Sequence, residues 1–433
     1  MADRREMLRL AIPSALFVVL NNAYRVVDQF WVDTISVAAQ AAVGATMFVL
    51  VVAYASFELV SAGTGPLVAR TTGARNFSER RAVFGSALFG ALLLAALWTT
   101  LGGFAAEPIA ASLGLQDDAR REAARYLGAL ALTSLPLVLT PLMDATYLAL
   151  GDARTPLVLH AVALAANLVL TPAFVVGLDG GVVGAALAST LSRAIATAWG
   201  LSSLVLRLEI LLSDLRPGAH LRRIVRVGSP MAWNTALYGG AYWVMLRVAV
   251  SPLGPEVNAA LGIGWSALEG LSWPLFHGVS LAVASIVGRQ LGAGHAEAAR
   301  ATARSALLPT GGLGAVAGAI FIWAGPIITA PFATDPDVHR EATLYARIVG
   351  YSQICVALEA TAEGVLAGAG ATRAVFWSSA PLNLLRAPLA WWFAVHLGYG
   401  AAGLWWVIAA TTYAKTLLKV GLLLRGRWSA LSI

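Results

Sequence analysis

"VARTTGARNFSERRAVFGSAL" (68–88) and "VGRQLGAGHAEAARATARSAL" (287–307) read as two versions of one loop between helices, 219 residues apart. That register pairs Arg70 with Arg289, Gly73 with Gly292 and Ser86-Ala87-Leu88 with Ser305-Ala306-Leu307. It continues outward: Arg121-Glu122-Ala123 and Tyr126 pair with Arg340-Glu341-Ala342 and Tyr345, Gly151 and Arg154 with Gly370 and Arg373, and Gly181 and Gly184 with Gly400 and Gly403. Matched alanines carry little weight in an alanine-rich chain. Arg, Glu, Tyr and Gly at one fixed offset mark an internal duplication.

What is duplicated is a set of membrane spans. Of the 433 residues, 58% are hydrophobic and only 12% charged, too little polar surface for a soluble domain. Apolar segments long enough to cross a hydrocarbon core of ~30 Å recur at 8–34, 40–67, 82–105, 122–149, 155–177 and 182–207, and again at 224–251, 256–287, 301–325, 340–368, 374–396 and 401–424. The expected fold is an all-α integral membrane protein of twelve transmembrane helices in two homologous six-helix lobes. Six is an even number, so the second half re-enters the membrane in the orientation of the first, and the repeats should be parallel. The expected domains are an N-terminal lobe 1–207, a cytoplasmic linker 208–223 broken at Pro217-Gly218, and a C-terminal lobe 224–433.

The net charge of +7 follows from orientation. With a cytoplasmic N-terminus, nineteen arginines fall on inside segments, against Arg120, Arg121 and Arg340 outside. This positive-inside bias places both termini in the cytoplasm and removes any need for a nucleic-acid partner. The single cysteine, Cys355, permits no intramolecular disulfide. Asn76-Phe77-Ser78 is a glycosylation sequon in a predicted inside loop, where it should stay unmodified. The N-terminus has a basic start and an apolar run like a signal peptide, but its first span corresponds to the internal seventh, so a retained helix is expected.

The sequence resembles the multidrug and toxic compound extrusion (MATE) family along essentially its whole length. The resemblance rests on "AIPSALFVVLNNAYRVVDQFWV" (11–32), on the loops "VGRQLGAGHAEAAR" (287–300) and "LGDARTPLVL" (150–159), and on "LLRAPLAWWFAVHLGYGAAGLWW" (384–406). It implies a V-shaped pair of six-helix lobes with a central cavity. It also implies export of organic, often cationic, compounds against entry of H+ or Na+. Related flippases of lipid-linked sugars share the broader fold.

An ionisable side chain inside a span costs about 3 kcal/mol on insertion scales, so each is a candidate for function. Arg25 and Asp28 share one face of the first span, and Asp28 matches the family's first-helix aspartate, which the resemblance implies is protonated or helps to hold a cation. A guanidinium beside it would keep Asp28 ionised, and the bland alternative is an intrahelical ion pair. Asp33 reads as a helix end near the outer interface. Asn167 matches a family asparagine, whereas Thr171 stands where an aspartate often precedes the proline. In the tenth span Glu359 and Glu363, four apart, would repel unless a proton or cation lay between them. Tyr24, Arg25, Glu58, Trp233, Glu269, His277 and Arg386 are candidates for the substrate cavity. For Glu58, Glu269 and His277 a satisfied interhelical hydrogen bond is the simpler reading. Eleven of the fourteen tryptophans lie in the second half, where rings could hold a lipophilic cation or form an interfacial belt.

No glycine cluster is followed by the Lys-Ser or Lys-Thr of a nucleotide loop, and no metal spacing or nucleophile elbow is present. An enzyme is not expected, nor any metal or cofactor beyond a coupling H+ or Na+. The expectation is a monomeric secondary antiporter in a bacterial inner membrane, exporting cationic or amphiphilic organic compounds by alternating access. The alternative is a flippase of a lipid-linked sugar, which would want arginines such as Arg25, Arg193, Arg247 and Arg386 to converge on the cavity.

Overall fold

The computed structural model describes residues 4–333 and 335–433, and at Arg4, Arg25 and Phe48 the backbone alone. No strand occurs among the described residues. The first half runs α1 (Arg4–Asp33), α2 (Val37–Gly73), α3 (Phe77–Ser112), α4 (Asp117–Leu132), α5 (Leu135–Ala149), α6 (Arg154–Pro172, continued by a π-helical turn) and α7 (Gly181–Leu208). The second runs α8 (Ala219–Met245), α9 (Pro255–Ile263), α10 (Gly270–Gly292), α11 (Ala296–Ala319), α12 (Gly325–Thr329), α13 (Pro336–Gly350), α14 (Gln353–Gly368), α15 (Thr372–Ala390) and α16 (Gly400–Arg425). Among the described residues eight helical stretches are long and apolar enough to cross a membrane, or nine if α4 and α5, bent by 56°, form one span. The other segments expected to span, α8, α13 with α14, and α15, are helical but fall short in length or apolarity.

The backbone repeats at the sequence offset. Left-handed φ values occur at Arg75 and Gly294 (54° and 77°), Gly151 and Gly370 (82° and 77°), Asp179 and Gly398 (51° and 73°), and Gly181 and Gly400 (53° and 59°), each pair 219 apart. Such φ values suit glycine and cost an L-residue strain, so their recurrence shows one turn geometry used twice. The fourth and tenth spans break at matching places. Thr133-Ser134 separates α4 from α5, and Tyr351-Ser352 separates α13 from α14. At the first break Ser134 donates to the Ala95 carbonyl at 3.1 Å and Pro136 enters the first turn of α5.

Helix entry is signalled by caps. Ser36 accepts from the Ala39 N–H at 3.0 Å and Asn76 from the Glu79 N–H at 3.1 Å. The "GDARTP" loop caps α6 from Asp152, whose carboxylate accepts from the Thr155 N–H at 3.1 Å, the Thr155 hydroxyl at 2.8 Å and the Arg207 guanidinium at 3.2 Å. Burial pushes the Asp152 carboxyl up, but Thr155 and Arg207 outweigh burial and hold it below the usual carboxylate range.

Packing divides the described chain into two compact units, one of residues 17–232 and one of residues 4–16 with 233–433. Two helices therefore serve both. In the first unit the start of α8 lies on α2 so closely that a Cβ at Gly63 or at Gly228 would sit 2.1 Å from the carbonyl oxygen of Ile224 or Leu59. Arg223 pairs with Glu79 there at 2.9 Å. In the second unit the start of α1 lies on α10, with Ala11 and Ala15 against Gly278 and Glu6 paired with Arg289 at 2.8 Å. Within that unit Gly364 and Gly368, a G-x-x-x-G pair on α14, let its backbone meet α10. A Cβ at either would stand 2.3 Å from the Ser280 or Ala284 carbonyl oxygen. Without a hydrophobic drive between helices in lipid, such close van der Waals approach is the main source of association.

Two outcomes follow for thermal unfolding in detergent. Gly364→Leu should destabilise by at least ~1–3 kcal/mol through overpacking, whereas Gly421→Ala, where a Cβ meets nothing within 4 Å, should be neutral or slightly stabilising. Asp152→Asn should cost about 1 kcal/mol near neutral pH. Because the folded carboxyl is depressed, its contribution is complete above the unfolded value of ~3.9 and is lost as pH falls through the folded one, so wild type and variant should converge in acid.

Candidate functional site

The first unit holds a polar network among α1, α6 and α7. Asn21, Tyr24 and Asp28 fall three and four apart on α1 and so share a face. The Asp28 carboxylate accepts from Asn167 Nδ2 at 3.1 Å and from the Ser189 hydroxyl at 2.5 Å. Asn167 Nδ2 also reaches the Thr171 hydroxyl at 2.9 Å, one helical turn on. Tyr24 donates to the Ser189 carbonyl at 2.5 Å and contacts the Ser192 hydroxyl. The Arg193 guanidinium lies over the Tyr24 ring, 4.3 Å from its centre, and donates to Asn21 Oδ1 at 3.3 Å. Among the described residues no cationic side chain forms an ion pair with Asp28. Asn167 is fully buried and its Oδ1 has no hydrogen-bond partner.

Beside this network His160 Nε2 lies 2.9 Å from Asp144 Oδ2, and the His160 ring stacks on Phe17. Tyr24, Arg193, Asp144, His160, Thr140 and Thr197 border a space of about 10 Å³, the scale of a single water.

The second unit holds a different network. Lys419 Nζ donates to Glu359 Oε1 at 2.8 Å and also pairs with Glu363, while Lys415 Nζ stands 3.1 Å from the same Glu359 oxygen. The Lys419 side chain is 1% exposed. Two carboxylates four apart on α14 thus face two ammoniums four apart on α16. Next along, Arg386 on α15 donates to Tyr242 at 2.8 Å, Thr411 at 2.9 Å and Thr412 at 3.4 Å. Glu269 accepts from the Tyr345 hydroxyl at 2.6 Å, and Tyr345 packs edge-on to the buried Trp405. Hydroxyls and ammoniums satisfy each charge at short range, as a low-dielectric interior requires.

The residues picked from sequence therefore fall into two sets, each inside its own unit. Asp28, Asn167, Thr171 and Tyr24 come together in the first unit; Glu359 and Glu363 join Lys415 and Lys419 in the second. Arg386 and Glu269 belong to the neighbouring hydroxyl cluster. His277 stacks on Trp273 with ring centres 5.5 Å apart, Trp233 is 63% exposed, and Glu58 is half-buried on α2. The Arg25 side chain lies outside the described residues. Asp33 ends α1 and accepts from Gln29 at 2.7 Å.

Sequence reasoning passes over Ser189, Ser192, Lys415 and Lys419 as site residues. The serines give no signal, because a hydroxyl inside a helix ordinarily bonds its own backbone. The lysines do: they are the chain's only two, both inside the last span, at the four-residue spacing of Glu359 and Glu363.

The profile of the MatE family matches residues 13–173 and 230–392. The chain is 26% identical over 440 residues to "Probable multidrug resistance protein NorM" of Thermotoga maritima, covering 98% of this chain and 93% of that one. It is 22% identical over 268 residues to "Multidrug export protein MepA" of Staphylococcus saprophyticus, covering 61% and 59%. A solved MATE structure in complex with MaL6 superposes with a TM-score of 0.89 at 22% identity, over 98% of this chain and 96% of that one. A MOP superfamily transporter from Pyrococcus furiosus, described as having a binding pocket of reverse polarity, gives 0.88 at 22% identity over the same shares. Matched in both halves of its duplication, the chain belongs to the MatE family of multidrug efflux membrane transporters.

Proposed function

We propose that the chain is a secondary active antiporter that exports cationic or amphiphilic organic compounds in exchange for H+ or Na+ by alternating access, and that the coupling ion acts at Asp28. The proposed setting is a monomer in a bacterial inner membrane with both termini cytoplasmic. The names of the relatives, multidrug resistance and multidrug export proteins, support the class of substrate.

One observation carries the site. Asp28 is held by the Asn167 amide and the Ser189 hydroxyl, neutral groups with reversible roles. A hydroxyl can donate to a carboxylate or accept from a carboxylic acid, and a turned amide would offer its now unpartnered oxygen. The same pocket can therefore satisfy Asp28 with or without its proton, and its oxygens are also hard ligands suited to Na+. Thr171, where a second carboxylate would add charge, leaves the site with one acid, so a single change of charge switches its electrostatics. Through differential stability of the two charge states, that switch would bias the inward against the outward conformation.

The flippase alternative asks for cations free to hold a pyrophosphate. Lys415 and Lys419 are instead taken by Glu359 and Glu363, and Arg386 is enclosed by three hydroxyls, which favours the antiport reading.

Proteoliposomes loaded with ethidium and given a pH gradient or a Na+ gradient separately should show gradient-driven movement of the dye by wild type under at least one of them. Asp28→Asn should abolish it, and Ser189→Ala should lower its rate while leaving the melting temperature within a few degrees. Undiminished transport by Asp28→Asn under both gradients would sink the assignment.

A further inference from the structure

We propose that Lys419 is a tethered counter-ion: it fills, from within the chain, the place between Glu359 and Glu363 that a free Na+ or proton would otherwise hold, and the second unit therefore binds no exchangeable cation. The geometry is that of an ion-coordination site with the ion covalently supplied. The ammonium reaches Glu359 Oε1 at 2.8 Å and pairs also with Glu363 on the next turn, in a place where its own side chain is 1% exposed. Lys415, four residues earlier, supplies the second positive charge to Glu359 at 3.1 Å. Two carboxylates meet two ammoniums, so the cluster balances without help from solution.

The identity of the residue matters. Every other permanent cation in the chain is arginine, and the only lysines are these two. A guanidinium is planar and broad and prefers a forked grip on one carboxylate, whereas an ammonium is a compact point charge that can sit between two. A free Na+ would have to displace a group held at high effective concentration by its own backbone. Its arrival without displacement would add an uncompensated charge to a buried cluster. Other charged or titratable groups within electrostatic reach of the cluster are Arg386 on α15 and Cys355 on α14 towards Glu359, His277 on α10 towards Glu363, and Glu269 towards Lys415. None of them supplies the pairing that Lys419 does.

The bearing of this inference on transport rests on the antiport reading above, but its test does not. Purified protein is titrated with 22Na+, and its melting temperature is compared in NaCl and in choline chloride at equal ionic strength. With any Na+ held in the first unit removed by Asp28→Asn, the otherwise unchanged chain should show no saturable uptake and no Na+-specific shift, and the Lys419 variants are compared in that background. Lys419→Gln leaves Glu363 without its counter-charge, and this variant should gain saturable 22Na+ binding and a Na+-specific rise of several degrees, on the order expected for linkage to a ligand well above its Kd. Lys419→Arg keeps the charge and should stay indifferent to Na+. The double variant Lys419→Gln/Glu363→Gln restores the balance and should lose the gained binding. Wild-type uptake of 22Na+ that disappears in Glu359→Gln or Glu363→Gln would overturn the proposal, whether or not Lys419→Gln folds. So would a folded Lys419→Gln that binds no Na+. Failure of ethidium transport under both gradients, with these binding results intact, would instead count against the antiport reading alone.

Discussion

An ionised group inside a bilayer must find its compensation within the protein, because neither lipid nor distant solvent supplies it. That requirement organises both units. In the first, the Asp28 carboxylate accepts from Asn167 on α6 and Ser189 on α7, with the Arg193 guanidinium of α7 within electrostatic reach, so three helices are gathered around one acid. In the second, Glu359 and Glu363 are compensated by Lys415 and Lys419, so α14 and α16 are cross-linked by charges that cancel. Removing one member of such a buried set is far more damaging than never having had it, which ties the polar interior to the packing of the helices around it.

The duplication kept the backbone and let the interior diverge. Left-handed turn positions recur at one offset, and the breaks in the fourth and tenth spans fall within one residue of it, because a turn of fixed length between packed helices tolerates few geometries. At the same offset Asp28 corresponds to Arg247, Asn167 to Arg386, Thr140 to Glu359 and Asp144 to Glu363. The first and second units therefore share a chain path and differ in electrostatic design. Side chains in the interior answer to their neighbours, and neighbours can change in compensating sets.

The duplication, the membrane class and the order of helices are legible in the sequence, since periodic apolar runs and repeated loops are local signals. So is the grouping of Asp28, Asn167 and Thr171, through the motifs that surround them. Less legible is anything set by which helix faces which. Ser189 completes the Asp28 site from α7, and nothing local distinguishes it from other serines on that helix, such as Ser202, whose hydroxyl donates to the Trp199 carbonyl one turn back at 2.9 Å. Glu269 and Tyr345 meet across 76 residues of chain. The acid pair on α14 looks, on its own, like a vacancy for a cation. The matching spacing of Lys415 and Lys419 hints at a partner, and the position of α16 shows the two ammoniums set against that pair.

The sharing of α1 and α8 bears on how such a molecule can arise and be made. Residues 4–16 pack in the unit otherwise built from 233–433, while 219–232 pack in the unit that begins at residue 17. A gene for one half alone would encode a first helix whose opening turns have no partner in their own product, with Gly63 or Gly278 facing an empty groove. Two copies exchanging those turns would satisfy each other. In the single chain each unit instead takes its opening turns from the other half, so during synthesis the first unit lacks residues 219–232 until the ribosome has passed the linker.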